Sequence, residues 1–257
     1  MTLQEVQTRI RNARELDFGT VLSECIELFK KFWLQGFLTI IIVMLISVPI
    51  AFLWGMMTEV LGLVTPTVMD FNDLNVDSIS KFYGFSSLYN LPISILTGMI
   101  QMGVYAGFYR MVKIKDVEKG GSEEYFYFFK QEYLGKLLLL SIINSAISIV
   151  AVFLCFLPYI YVIVPLMYFS VVFAFNSEKP AEDILKASFQ IGNKMWLITF
   201  GSILVCGFLG FLGIIACFIG ILFTISIAFF PCYVIYREIV GFEDTSEINE
   251  IGKIQEF

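Results

Sequence analysis

The chain has 257 residues, of which 58% are hydrophobic and 16% charged, with a formal net charge of −6. Soluble domains average about 45–50% apolar and about 25% charged residues, so this composition excludes an ordinary soluble domain. The apolar residues form long uninterrupted runs, which predicts an all-α polytopic membrane protein; a membrane β-barrel would show short segments of alternating polarity.

The first unit of the chain combines an amphipathic segment with an apolar run. Residues 1–16 are polar and lack the hydrophobic region of a signal peptide, so the first span is also expected to direct insertion. Residues 21–33 are predicted to form an amphipathic helix with Thr20 as the expected N-cap, and the apolar side chains from Phe18 to Trp33 fall on one of its faces. Such a helix lies in the headgroup plane. Residues 34–54 carry no charge and are long enough for span 1. We call the amphipathic segment of such a unit a foot.

Two further units of the same kind follow. A second foot runs from Ser122 to Tyr133 and a third from Pro180 to Trp196, each before a pair of apolar runs. The sequence thus predicts one integral membrane domain with six transmembrane helices in three foot-plus-hairpin units. Spans 2 to 6 are predicted at about 91–111, 136–157, 158–176, 197–217 and 221–236. Four aromatic residues are expected to anchor the feet in the interface: Phe29, Trp33, Tyr133 and Trp196.

The cations determine the expected orientation. All 17 Lys and Arg residues except Lys81 fall on one side of the predicted spans. Cytoplasmic loops carry an excess of Lys and Arg, so both termini and all three feet are expected on the cytoplasmic side of a bacterial inner membrane. Residues 56–90 would then form the long outside loop, and residues 238–257 an acidic cytoplasmic tail. The sequence offers no basic surface suited to nucleic acid.

Catalytic and metal-binding patterns are missing from the sequence. The chain has no histidine, which removes the commonest general base and the commonest transition-metal ligand. Its five cysteines show no C-x-x-C spacing and are interpreted as small buried hydrophobic residues. No charged residue lies in the central part of a predicted span, which argues against proton-coupled transport. We therefore expect no catalytic residue, no cofactor and no metal ion.

One polar stripe lies in predicted span 3. It occupies positions i, i+3, i+4 and i+7 of one helical face: Ser141, Asn144, Ser145 and Ser148. Gln101 in span 2 is its natural partner. Such side chains commonly form hydrogen bonds between packed helices, and the alternative is a polar groove that contacts a ligand. Three prolines inside spans are expected to kink them, either as architecture or around a cavity: Pro49, Pro165 and Pro231.

The sequence resembles a group of bacterial six-span proteins related to the membrane domain of glycerophosphodiester phosphodiesterases. The resemblance lies in the first foot, DFGTVLS at 17–23 leading to LFKKFW at 28–33, together with the six spans. The stretch from Pro158 to Asn193 is similar to an uncharacterised branch in Bacteroidota. The phosphodiesterase activity of the eponymous proteins resides in a separate soluble domain, so the resemblance implies no catalytic residue. Members of this branch are sometimes mislabelled carotene monooxygenases; such enzymes hold iron with four histidines, which this chain lacks.

Three functional hypotheses follow from these features, of which a membrane-embedded enzyme is placed last. The first is a non-enzymatic inner-membrane protein that serves as an accessory or scaffold subunit of a larger envelope complex, with lipids and other inner-membrane proteins as partners. It depends on the uncharged spans and the three feet. The second is a carrier or exporter of a lipid or other hydrophobic molecule. It depends on the kinked spans and the polar stripe, and a closed bundle without a cavity would count against it.

Overall fold

The computed structural model describes residues 3–61, 89–118, 124–154, 157–215 and 220–242. Every regular element in these ranges is helical. Six helical stretches are long and apolar enough to cross a membrane, which confirms the predicted all-α polytopic class. They are Phe18–Val60, Leu91–Val117, Gln131–Val152, Pro158–Phe175, Trp196–Ile214 and Gly220–Ile239.

The α-helices are numbered in chain order. They are α1 (Leu3–Asn12), α2 (Phe18–Val60), α3 (Leu91–Lys113), α4 (Gln131–Phe153), α5 (Leu157–Phe175), α6 (Ala181–Lys194), α7 (Trp196–Phe211), α8 (Gly220–Thr224) and α9 (Phe230–Ile239). A π-helical turn, Ile114–Glu118, extends α3, and 3₁₀ segments occur at Tyr127–Phe129, Leu212–Ile215 and Ile225–Phe229. The third of these joins α8 to α9 within the sixth span.

Helix α2 contains both the first foot and the first span. Asp17 caps it, because its Oδ2 accepts a hydrogen bond from the backbone N–H of Thr20 at 2.8 Å. That hydrogen bond also holds the pKa of the Asp17 carboxyl below its usual value. Thr20 is therefore a donor, and its expected role as N-cap is wrong. The break in α2 lies at Phe32 (φ −121°, ψ 16°), where the foot meets the span, rather than at Pro49.

The first and third feet bury their apolar faces against the protein itself. In the first foot, Val21, Cys25 and Leu28 belong to the main core. The third foot is α6, whose residue Gly192 packs so closely on α5 that a Cβ there would lie 2.6 Å from the Cα of Pro165. Amphipathic periodicity indicates an apolar face, but it does not distinguish lipid from protein as the surface that covers it. Both feet thus stabilise the bundle directly.

The second foot differs from its prediction as an amphipathic helix. From Glu124 to Lys130 the chain forms a turn and a 3₁₀ segment, and α4 begins only at Gln131. This segment packs in a groove on α3 formed by two glycines. A Cβ at Gly107 would lie 2.4 Å from the Tyr125 carbonyl oxygen, and one at Gly103 would lie 2.7 Å from Phe129 Cζ. Small residues four apart allow this close approach, and helix periodicity does not reveal it.

Charged residues join the helix ends at one end of the bundle. Arg237 of α9 forms ion pairs with Glu24 of the first foot and with Asp116 of the π-helical turn, the second at 3.2 Å. Lys31 also reaches Asp116, at 2.9 Å. We call this end the basal half; it contains α1, the first foot, α6 and the C-terminal ends of α3, α5 and α9. The opposite end is called the open half.

The sixth span approaches its neighbours through further glycines. A Cβ at Gly36 of α2 would lie 2.6 Å from Ser226 Cβ, and one at Gly210 of α7 would lie 2.9 Å from Ile225 Cα. Thr224 adds a hydrogen bond from its Oγ1 to the Gly210 carbonyl oxygen at 2.5 Å. The 3₁₀ segment ends two residues before Pro231, which lacks the N–H that a continuous α-helix would use.

Several predicted boundaries shift in the structure. Helix α2 continues to Val60, past the predicted end of span 1 at 54, and the helix of span 3 covers 131–153 instead of 136–157. The sixth span begins at Gly220 and ends at Ile239, so it is longer than predicted. Most of the predicted outside loop, 62–88, and most of the acidic tail, 243–257, lie outside the described residues.

Candidate intramembrane binding site

A cavity of about 300 Å³ lies between α3, α4, α5 and the 3₁₀ segment of the sixth span. Its walls mix uncharged polar side chains with aliphatic and aromatic ones. The polar lining residues are Gln101, Tyr105, Tyr109, Asn144, Ser148, Tyr159 and Ser170. The volume falls at the lower end of the range for small-molecule sites, about 300–1,000 Å³.

One face of α3 supplies the central wall. Gln101, Tyr105 and Tyr109 are spaced four residues apart, so they lie on one side of the helix. Gln101 is close to the midpoint of Leu91–Lys113, which places its amide at mid-span. This four-residue polar repeat was the signal in the sequence that could have extended the predicted site beyond Gln101 to the two tyrosines.

The predicted polar stripe of α4 divides into two pairs. Ser141 and Ser145 are buried in helix packing, and Ser141 Oγ donates to the Ile95 carbonyl oxygen of α3 at 2.6 Å. Asn144 and Ser148 line the cavity together with Gln101. One edge of this helical face thus packs against a neighbouring helix, and the other edge borders open space.

Tyr109 closes the cavity toward the basal half. Its hydroxyl donates to the Phe229 carbonyl oxygen in the 3₁₀ segment at 3.0 Å. The ring of Phe229 also lies 5.0 Å from that of Tyr105, centroid to centroid. The interruption of the sixth span therefore faces the cavity and is bonded to the same face of α3 that forms its wall.

The electrostatics of the cavity are those of a neutral polar site. Among the residues that the structure describes, no charged side chain lines it. Within the described residues, Gln101, Asn144 and Ser148 have no hydrogen-bond partner for their side chains. An amide left unpaired in an apolar medium costs about 1–3 kcal/mol, so an occupant with hydrogen-bonding groups is favoured. Gln101 and Met167 are exposed, so the cavity opens to the surroundings of the bundle.

No family model, no curated protein and no solved structure matches this chain. The resemblance to the six-span family therefore stays a prediction. Within the described ranges, no group of three or more His, Cys, Asp or Glu side chains is arranged to hold a metal ion. The three described cysteines are buried and free: Cys25, Cys206 and Cys232.

The four predicted interfacial anchors lie near the junctions of feet and spans. Phe29 is half-buried against the main core, and Trp33 is 42% exposed. The Tyr133 ring packs edge-on against Phe128 at 5.4 Å between centroids. Trp196 Nε1 donates to the Tyr161 carbonyl oxygen at 2.9 Å. Of the two tryptophans at these junctions, Trp33 is thus the more exposed, while Trp196 is hydrogen-bonded to α5.

A second hollow, of about 590 Å³, lies between the end of α2 and the start of α3. Trp54 Nε1 donates there to Asn90 Oδ1 at 3.1 Å. The hollow borders residues 62–88, which are outside the described ranges, so we assign no site to it.

Proposed function

We propose that this chain is a non-enzymatic integral membrane protein that carries a neutral amphiphilic molecule, with its headgroup in the cavity between α3, α4 and α5. The observation that carries this proposal is the uncharged lining with unpaired amide and hydroxyl groups at mid-span, notably Gln101, Asn144 and Ser148. A neutral headgroup with hydroxyl or amide groups would satisfy them. A charged headgroup would lose its hydration without gaining a counter-ion, which is costly inside a membrane.

The opening of the cavity suits an amphiphile better than a fully soluble ligand. Gln101 and Met167 are exposed near the middle of their helices, at a level where a bilayer surrounds the bundle with hydrocarbon. The apolar chains of the ligand could therefore remain in the lipid while its headgroup occupies the cavity. This geometry supports the carrier hypothesis above the accessory-subunit hypothesis.

The test uses a fluorescent hexosylceramide, an uncharged lipid that carries hydroxyl and amide groups. The purified protein is reconstituted into vesicles, and exchange of the probe between leaflets is followed by quenching from outside. We expect the protein to accelerate exchange. Ser148→Trp fills the cavity with an indole ring, so it should reduce the acceleration about tenfold. This factor corresponds to about 1.4 kcal/mol.

The matched control is Ile142→Trp on the same helix, because Ile142 is 42% exposed and does not line the cavity. It should retain the wild-type rate. Equal rates in the two tryptophan variants, or no acceleration by the wild-type protein, would overturn the proposal. Mass spectrometry of the probe bound to detergent-purified protein separates a binding protein from a carrier, since a non-transporting binder retains the probe without exchanging it.

We also propose a bacterial inner membrane as the location, with both termini in the cytoplasm. The distribution of Lys and Arg supports this, because Lys81 alone falls on the opposite side of the predicted spans. Single cysteines introduced at the tip of α1 and at residue 81 of a cysteine-free variant test the topology. Labelling of residue 81 by an impermeant reagent in intact cells is expected, and labelling of α1 instead would reverse the orientation.

The accessory-subunit hypothesis is the second candidate, and the position of α2 favours it. Only 17% of the residues in the most apolar 18-residue stretch of α2 are buried. The corresponding share is 50% in Pro158–Phe175 and in Gly220–Ile239. A helix at the periphery of the bundle is available to a partner. Purification from native membranes in a mild detergent tests this: a stoichiometric partner protein supports the accessory role, and purification of the chain alone removes its main support.

A further inference from the structure

Residues 124–130, immediately before α4, are held in a fixed position at the basal end. This segment packs so closely on the groove of α3 that neither Gly103 nor Gly107 has room for a side chain. Phe128 is buried in the main core, and the Tyr125 hydroxyl donates to the Gln35 carbonyl oxygen at 3.3 Å. These contacts from three sides place the Tyr127 ring at the junction of the two helices.

Two cations converge on the Tyr127 ring. The Arg110 guanidinium carbon lies 3.7 Å from the ring centroid, and the Lys130 Nζ lies 4.2 Å from it. Within the described residues, neither cation has a carboxylate partner, whereas Lys31, Lys186 and Arg237 each form an ion pair. The ring attracts each cation, but it carries no net charge and therefore neutralises neither of them.

We propose that Arg110 and Lys130, placed by Tyr127, form a binding site for a phosphate group. A guanidinium can donate two parallel hydrogen bonds to phosphate oxygens, and an ammonium adds a compact positive charge beside it. Arg110 lies in the last turn of α3 and Lys130 immediately before α4. Both are therefore at the ends of membrane-spanning helices, at the level where lipid headgroups lie. The site is separate from the cavity and does not depend on the proposed carrier function.

The same chemistry could take a phospholipid headgroup or a free phosphate, and two probes distinguish them. Detergent-purified protein is titrated with dihexanoyl phosphatidylglycerol and, separately, with inorganic phosphate, and binding is read by native mass spectrometry. Dihexanoyl phosphatidylcholine serves as the zwitterionic comparison. We expect phosphatidylglycerol to bind more tightly than phosphatidylcholine. Binding of inorganic phosphate at comparable concentrations, with displacement of the lipid, would assign the site to a free phosphate.

Three variants test whether Arg110 and Lys130 themselves hold the phosphate group. Lys130 is exposed, so Lys130→Gln should fold normally and weaken phosphatidylglycerol binding about tenfold. Lys130→Arg keeps the charge and should restore most of it, while Arg110→Gln combined with Lys130→Gln should abolish it. Lys186→Gln is the matched control, because Lys186 is an exposed cation paired with Glu182. The proposal is overturned if Lys130→Gln binds as tightly as the wild-type protein, or if Lys186→Gln loses as much binding.

Discussion

The basal and open halves of the bundle share the membrane-spanning helices but pack them differently. All buried residues of α3 lie from Ile100 to Val112, although the helix starts at Leu91. In α2 the last buried residue is Val43, although the helix continues to Val60. The basal half also carries the feet and the ion pairs around Arg237. The cavity lies where tight packing gives way to open space.

Along each membrane-spanning helix, the basal part thus contributes mainly to stability, and the part beyond it is available for binding. Hydrophobicity does not distinguish the two halves, because both are apolar and lipid solvates an apolar helix as well as protein does. The difference comes from buried aromatic rings and ion pairs, which are concentrated in the basal half. A bundle that is closed at one end can keep unsatisfied polar groups at the other, where a ligand can reach them.

The largest effect on stability is expected from Gly107→Ala in the basal half. The new Cβ would lie 2.4 Å from the Tyr125 carbonyl oxygen, and backbone cannot rotate away as a side chain can. We expect destabilisation by about 2–3 kcal/mol. Gly207→Ala is the control, since no described residue outside its own helical turn has an atom within 4 Å of its Cβ position, and it should not destabilise the protein. Thermal unfolding in detergent measures both; similar melting temperatures would remove the packing contrast.

The next effect is expected from Arg237→Gln. Its side chain is 24% exposed and its partner Asp116 17%, so both are partly shielded from solvent. Removing the cation leaves Glu24 and Asp116 with less compensation, at a cost of about 2 kcal/mol. Lys186→Gln removes an exposed i,i+4 pair with Glu182 and should cost less than about 0.5 kcal/mol. Equal losses at the two sites, or abolition of the Arg237 effect by high salt, would show that the basal ion pairs act only as surface charges.

The sequence predicted the spans and missed the contacts that organise them. Apolar runs of sufficient length locate six spans, because a bilayer requires about 20 such residues per helix. The first and third feet were found by periodicity. The second was predicted as a helix, because periodicity describes one segment at a time and takes no account of the groove that Gly103 and Gly107 form on a neighbouring helix. That groove depends on tertiary placement.

The sequence allowed part of the candidate site to be predicted. The polar stripe on α4 indicated the correct face, and Gln101 indicated the correct partner helix. Which stripe residues pack and which line a cavity depends on the distance to α3 and α5, and a one-helix pattern contains no such distance. Tyr159 and Ser170 of α5 were missed because neither belongs to a polar repeat. The carbonyl of Phe229 carries no sequence signal, since every residue has one.

A smaller effect on stability is expected at the boundary between the halves. Tyr109→Phe removes the hydrogen bond to the Phe229 carbonyl oxygen and should cost about 1 kcal/mol. Tyr159→Phe is the matched control, because Tyr159 lines the same cavity and no hydrogen bond of its hydroxyl is found within the described residues. Its melting temperature should match that of the wild-type protein. A drop as large as that of Tyr109→Phe would show that the Tyr159 hydroxyl also makes a hydrogen bond on which stability depends.

The smallest effect on stability is expected from Asn144→Leu. This variant should also distinguish most clearly between an effect on stability and an effect on binding. The amide has no partner among the described residues, so an apolar side chain of similar size should change the free energy of unfolding by less than about 0.5 kcal/mol. Ser141→Ala, one turn away, should cost about 1 kcal/mol because it removes the bond to the Ile95 carbonyl oxygen. Hexosylceramide exchange should show the reverse order, with Asn144→Leu impaired and Ser141→Ala retained. If Asn144→Leu instead lost stability and kept exchange, the amide would belong to the packed bundle, and the cavity would have no role in binding.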